Sequence, residues 1–290
     1  MEMRRTLLFI PGNNPGMLQN GGILGADSVI LDLEDAVAPH EKDAARLLVC
    51  HALKMTDFGS CEKVVRINPI DISAQEDVAA VVPCHPDTLL VPKVNCAADI
   101  HQVVRWIEAS EKSGQQPVKI IALIETPLGI VNCYSIAAAH PRVVAVALGA
   151  EDYTAGLGTS RTGDGQEIFT ARAILVNAAA AAGVQAIDTP FTDVLDEEGL
   201  VADIAFAKKV GFKGKLVINP RQVDAIHAGF SPSAAEIQWA HRVVAAIREA
   251  EEQGAGAIAL DGKMIDKPIV DRAERLLQLA QALGLEGGRE

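Results

Sequence analysis

Residues 119–125, KIIALIE, and 143–152, VVAVALGAED, decide how this chain folds. Neither alternates apolar with polar, so each reads as a strand buried on both faces, as in a parallel sheet. Six further runs share that character: TLLFI (6–10), SVILDLE (28–34), KVVRI (63–67), TLLVPKV (88–94), VQAID (184–188) and KLVIN (215–219). Between them lie segments such as DIHQVVRWIEASEKSG and IFTARAILVNAAAAAG, with apolar residues at three- and four-residue spacing. Several of these stop at a glycine, as helices do. Eight strands alternating with helices over about 220 residues predict a (β/α)8 TIM barrel. An open doubly wound sheet is the alternative. It loses its best support because PGNNPG, and not G-x-G-x-x-G, follows the first run.

After Asn219-Pro220 the pattern changes. Residues 233–253 read as one long helix, with Ser233 at its start and Gly254 at its stop. A short apolar stretch, AGAIAL, leads to the loop DGKMIDKP and a last helix from about Ile269 to Leu283. The expected organisation is a barrel catalytic domain over 1–228 and a C-terminal helical extension, carrying a lid loop, over 229–290.

Bulk composition excludes several function classes. With 290 residues and 49% hydrophobic content the chain can bury a large core. Its 26 basic and 38 acidic residues give a net charge of −12 with no long basic run, which argues against nucleic acid and anionic membranes as partners. Five scattered cysteines without a C-x-x-C pair disfavour a zinc site or a disulfide framework and fit buried thiols in a reducing cytoplasm. MEMRRTLLFIPG superficially resembles a signal peptide, but its apolar run is short and ends at Pro11-Gly12, so a first strand is expected.

The ends of the predicted strands carry the chemistry. In order they present Pro11-Gly12-Asn13; Asp32, Glu34 and Asp35; Arg66 and Asn68; Lys93; Glu125 and Thr126; Glu151 and Asp152; Asp188 and Thr189; and Asn219. Residues at the C-terminal ends of barrel strands converge on the mouth where such folds bind ligands. Glu125 and Asp152 supply hard oxygens for a shared Mg²⁺, with water and substrate filling the octahedron. The competing reading is that each caps the following helix or pairs with a base. Arg66 suits a substrate carboxylate or an enolate oxygen, or else an ion pair with Asp32, Glu34 or Asp35. Asp32 and Glu34 share a strand face; one can hold metal-bound water and another can fix Arg66. Lys93 is open to Schiff-base chemistry, a phosphate contact or plain ion pairing. The seven histidines show no metal-ligand spacing and read as surface or helix residues. Asp266, just before Pro268, reads from its neighbours as a helix N-cap.

RTLLFIPGNNPGM, VILDLEDAV, VVRIN, LIETPLGI, ALGAEDYT, INPRQVDAIH and GKMIDKP, in that order over nearly the whole chain, resemble the citrate lyase beta subunits and their relatives in the HpcH/HpaI aldolase superfamily. The resemblance implies a Mg²⁺-dependent lyase acting on a 3-hydroxy-acyl thioester, with metal ligands at Glu125 and Asp152 and a substrate-contacting arginine at Arg66. It gives Asp266 a catalytic role, reaching into the site of an adjacent subunit, commonly within a trimer. It places the thioester's nucleotide arm near the PGNNPG turn. The leading expectation is cleavage of a citryl thioester, on CoA or an acyl carrier protein, to oxaloacetate and acetyl thioester. Other citrate lyase subunits would then be partners. A free-standing malyl-CoA or citramalyl-CoA lyase, or a related thioester synthase or hydrolase, is the alternative, and a silent scaffold subunit a third.

Overall fold

The computed structural model describes residues 3–252, 258–260 and 262–285. It divides into two compact units, Met1–His227 and Ala228–Glu290.

In the first unit all eight expected runs are strands: β1 (Thr6–Pro11), β2 (Ser28–Asp32), β3 (Glu62–Arg66), β4 (Thr88–Val91), β5 (Lys119–Ile124), β6 (Val143–Leu148), β7 (Gln185–Asp188) and β8 (Gly214–Val217). Each pairs in parallel with its sequence neighbours, and β1 closes the ring on β8 through Thr6–Lys215, Leu7–Leu216 and Leu8–Val217. The (β/α)8 barrel expected from the alternation is therefore the fold. Among the described residues no helix is long and apolar enough to cross a membrane.

The interior is layered because side chains alternate along each strand. At the N-terminal end Glu62 accepts from Ser28, Thr88 and Arg4 at 2.6–2.7 Å. Arg4 also reaches Gln185 at 2.9 Å, so polar groups plug this base with their hydrogen bonds satisfied. Above them lies an apolar layer of Leu7, Ile30, Val64, Leu90, Ile121, Leu123, Ala145, Ala147, Ile187 and Leu216. One pleat further along the same faces stand Asp32 after Ile30, Arg66 after Val64, Glu125 after Leu123 and Gly149 after Ala147. The site is thus the third storey of the barrel, resting on a dry floor.

The second unit has its own small core. Ala240, Val243, Ile265 and Ala273 are buried together, flanked by Trp239, Leu260, Ile269 and Leu276. A helix spans Ala234–Glu252, and Ser233 opens it with a reciprocal cap: its hydroxyl accepts from the Glu236 amide at 3.2 Å, and its amide donates to the Glu236 carboxylate at 2.8 Å. The expected stop at Gly254 lies outside the described residues. Part of the expected loop DGKMIDKP is a strand, β10 (Lys263–Ile265), which pairs antiparallel with β9 (Ile258–Leu260) at the end of the apolar stretch, and Gly262 between them has φ +75°. The last helix runs Lys267–Ala282.

Candidate active site at the C-terminal mouth

Arg66 is the centre of the mouth. Asp32 grips it as a fork, accepting from Nε at 2.7 Å and from Nη2 at 2.6 Å. Glu34 lies 2.8 Å from Nη1, Asp35 lies 3.5 Å away, and the Phe9 ring stacks beneath the guanidinium at 4.8 Å. Burial would lower the arginine's pKa, but the hydrogen bonds and charge of Asp32 outweigh it and raise it. The ion-pair reading of Arg66 is therefore realised, and one edge of the guanidinium is committed to Asp32.

Asp32 itself is saturated, since it also accepts from the amides of Glu34 at 2.9 Å and Ala36 at 3.2 Å. Glu34 is different. It is 3% exposed, and neither carboxylate oxygen makes a hydrogen bond, although Arg66 Nη1 lies 2.8 Å away as an ion-pair partner. Burial, opposed by Arg66 and reinforced by Asp35, pushes its carboxyl pKa up. Of the two acids expected to share the work behind the site, Asp32 orients Arg66, and Glu34 keeps acceptor capacity that no hydrogen bond uses.

Glu125 extends from β5, 6% exposed. It does not cap the next helix. Thr126 takes that position, its hydroxyl accepting from the Gly129 amide at 2.9 Å, with Pro127 in the first turn. Glu125 Oε1 instead accepts from the Lys93 amide at 2.8 Å. Lys93 holds that amide in place with a left-handed backbone, φ +53°, uncommon for a non-glycine residue and costly enough to mark a functional turn. On the other side Gly149 leaves room: a Cβ there would lie 2.5 Å from Glu125 Oε2. Burial first, then the charges of Glu34 and Asp152, raise the Glu125 pKa to about 8. A buried acid crowded by acids is the environment a bound cation relieves.

Asp152 sits in the first turn of the helix Ala150–Leu157, immediately beyond β6. Its Oδ2 is 3.4 Å from Lys93 Nζ, which is also 3.4 Å from Glu34 Oε1. Burial pulls the Lys93 pKa down, but Glu34 and Asp152 outweigh it and the ammonium is favoured. A protonated lysine is a poor Schiff-base nucleophile, so ion pairing is the reading the geometry supports. Glu151 turns away to Arg161 at 3.0 Å.

One strand-end acid departs from expectation. Asp188 faces the helices and not the mouth, fully buried and bound by Arg172 Nε at 2.9 Å and Lys215 Nζ at 2.7 Å. Asp203 joins the same two bases, and this network ties β7 and β8 to the helices Phe169–Ala182 and Glu197–Val210. Thr189, the next residue, accepts from the Ala150 amide at 3.2 Å.

Among the described residues no three His, Cys, Asp or Glu side chains form a metal cage. A two-carboxylate site of hard oxygens fits Mg²⁺ better than such a cage, because Mg²⁺ retains waters and takes substrate oxygens. A separate cleft of about 910 Å³ opens at the opposite end of the barrel, between Arg5, Asp27, Lys63, Asp87, Lys119 and His227. Arg5 pairs with Asp27 at 2.7 Å and His227 with Asp27 at 3.3 Å, so that end reads as the stabilising face of the barrel.

In the second unit Asp266 occupies the N-cap position of the last helix. Its backbone carbonyl accepts from Ile269 and Val270 at 3.0 and 3.1 Å, and its side chain makes no capping hydrogen bond. The capping role expected from sequence is filled by the backbone alone.

Three features of the mouth were missed by sequence reasoning: the Lys93 amide, the Gly149 notch and the Phe9 platform. Only the glycine left a trace, standing directly before Ala150-Glu151-Asp152 at the end of an apolar run.

Comparisons with known proteins agree with this geometry. The family model for HpcH/HpaI aldolase/citrate lyase matches residues 5–220. Citrate lyase subunit beta of Leuconostoc mesenteroides subsp. cremoris is 45% identical over 285 residues, covering 97% of this chain and 94% of that protein. The mitochondrial citramalyl-CoA lyase of Mus musculus is 34% identical, covering 97% and 87%. Among solved structures, the protein CitE of Mycobacterium tuberculosis in complex with magnesium, acetoacetate and coenzyme A superposes with a TM-score of 0.80 at 33% identity, covering 96% and 98%. With its barrel, its acidic mouth and this similarity along nearly its whole length, the chain belongs to the HpcH/HpaI aldolase/citrate lyase family.

Proposed function

We propose that the chain is a Mg²⁺-dependent carbon–carbon lyase that cleaves a citryl thioester, carried on CoA or an acyl carrier protein, into oxaloacetate and acetyl thioester. The observation that carries this reading is Glu125: a buried carboxylate beside Asp152 and Glu34, with a pKa raised to about 8, on a chain 45% identical to a citrate lyase beta subunit. Glu125 and Asp152 would hold the ion. Bound there, the ion would supply Lewis acidity to the half of the substrate that becomes the keto acid.

The chain's own groups do the rest. Arg66, held rigid by Asp32 and Phe9, presents a fixed positive charge to the substrate as negative charge develops on cleavage. The apolar layer beneath it excludes water, which strengthens that interaction. Glu34, whose two oxygens make ion pairs with Arg66 and Lys93 but no hydrogen bond, accepts hydrogen bonds from bound water or from substrate. Asp266, supplied by a neighbouring subunit of a homotrimer or larger homo-oligomer, is the base that takes the substrate hydroxyl proton as the carbon–carbon bond breaks, and an acid then returns a proton to the enolate carbon to give the acetyl thioester. The Asp266 side chain is not spent on capping and is available for that work. The working compartment is the cytoplasm, where other citrate lyase subunits would be partners.

The test is thioester cleavage by the purified chain on citryl, malyl and citramalyl thioesters of CoA and carrier protein, with and without Mg²⁺. Turnover of the citryl thioester that stops on chelation supports the reading. Robust turnover of malyl-CoA but not of the citryl thioester would replace it with the free-standing CoA-lyase reading, which the mouse citramalyl-CoA lyase similarity keeps in view.

A further inference from the structure

Lys93 serves the acidic mouth twice, through two ends that act independently. Its amide fixes Glu125 Oε1 at 2.8 Å. Its ammonium stands 3.4 Å from both Asp152 Oδ2 and Glu34 Oε1. Five carboxylates surround this point (Asp32, Glu34, Asp35, Glu125 and Asp152), and three cations, Arg66, Lys42 and Lys93, answer them. With all ionised, five minus three leaves two negative charges in excess. Lys42 is held by the carbonyls of Leu33 and Glu34 at 2.8 and 2.6 Å. Arg66 is clamped by the Asp32 fork and cannot follow a change in that balance. Lys93 can, because its side chain is 40% exposed and ends in a point charge on a flexible stem.

We propose that the Lys93 ammonium is the resident counter-ion of this mouth and competes with the divalent cation for Asp152 and Glu34, leaving when Mg²⁺ enters. This inference rests on Glu125 and Asp152 being the metal ligands. The lysine amide stays on Glu125 throughout, so the ligand remains positioned while the competing charge swings out. Metal-free protein is spared the full repulsion of its acids, and the metal binds more weakly than the bare acids would allow.

The experiment is Mg²⁺ titration by calorimetry on the full chain, native and with Lys93→Gln or Lys93→Arg. Thermal unfolding in chelator is the second readout. Lys93→Gln is expected to bind Mg²⁺ about fivefold more tightly, as for loss of one part-exposed ion-pair partner, and to melt lower without metal. Lys93→Arg keeps native affinity. The difference shrinks at about 0.5 M salt, where such charges are screened. A lysine whose ammonium merely positions Asp152 and Glu34 gives the opposite sign, since its loss would loosen Asp152 and weaken the metal, and equal or weaker binding by Lys93→Gln overturns the proposal. Native protein provides a further arm: amine acylation at Lys93, followed by mass spectrometry, rises on Mg²⁺ saturation, and an unchanged rate counts against the exchange. Glu125→Gln and Asp152→Asn, titrated alongside, abolish binding if the metal assignment holds. If both keep native affinity, that assignment fails and takes this inference with it. If they lose the metal while Lys93→Gln gains nothing, the inference alone fails.

Discussion

Gly149→Ala is the most informative single change. The added Cβ would lie 2.5 Å from Glu125 Oε2 and 2.6 Å from Glu125 Cβ. Ordinary contacts of this kind begin near 3.4 Å, so both clashes need a movement of nearly 1 Å. The carboxylate can swing away from the first. The second involves Glu125's own Cβ at the end of β5, and relief requires β5 and β6 to part locally. Overpacking of this kind costs about 1–3 kcal/mol of stability. A carboxylate displaced by that distance should lose about 10–100-fold in metal affinity, the range seen when the groups orienting a ligand are removed. The assay is Mg²⁺ titration by calorimetry with thermal unfolding in chelator. Gly163→Ala is the control, because a Cβ at Gly163 meets nothing within 4 Å and should change neither readout. Trimming Glu125 to Ala in the Gly149→Ala background would not restore stability, since the Cβ clash persists. Native Mg²⁺ affinity in Gly149→Ala would refute the notch as the device that seats Glu125.

Arg66→Lys keeps the charge and loses the fork to Asp32; kcat/KM for thioester cleavage should fall about a hundredfold or more while the fold persists by circular dichroism. Asp188→Asn leaves Arg172 and Lys215 short of a buried partner, and unfolding by denaturant should show a loss of about 3–5 kcal/mol with little change in the Mg²⁺ affinity of the folded fraction. Glu62 gives the pH dependence: burial would raise its pKa, but hydrogen bonds from Arg4, Thr88 and Ser28 outweigh it and hold the pKa below the ordinary 4.5. Its contribution is therefore present above that value and lost as pH falls through the depressed folded value, so melting temperatures of native protein and Glu62→Gln should converge below about pH 4.5. Asp266→Asn should cut turnover while leaving Mg²⁺ affinity at the native value, which separates a proton-transfer role from a ligand role.

Much of the barrel was legible because a strand buried on both faces must be apolar throughout, and eight such runs alternate with helical spacing in this chain. Asp32 and Arg66 could likewise be placed at strand ends, since a charge closing an apolar run has left the floor. The hairpin β9–β10 was harder to see: two strands of three residues are shorter than any periodicity can register.

Sequence by itself determined the storeys of this protein: which segments are strands, in what order, and which acids and bases stand at their ends. Tertiary structure decided which way those ends face and what they meet. A doubly buried strand carries no alternation to distinguish the barrel interior from its helical jacket, so nothing in VQAID says that Ile187 faces in and Asp188 out. Closure and register then set Asp32 against Arg66, the Lys93 amide against Glu125, and Gly149 where an added methyl group would displace Glu125. Those pairings join residues 24–34 positions apart in the chain, and only the folded ring brings them into contact.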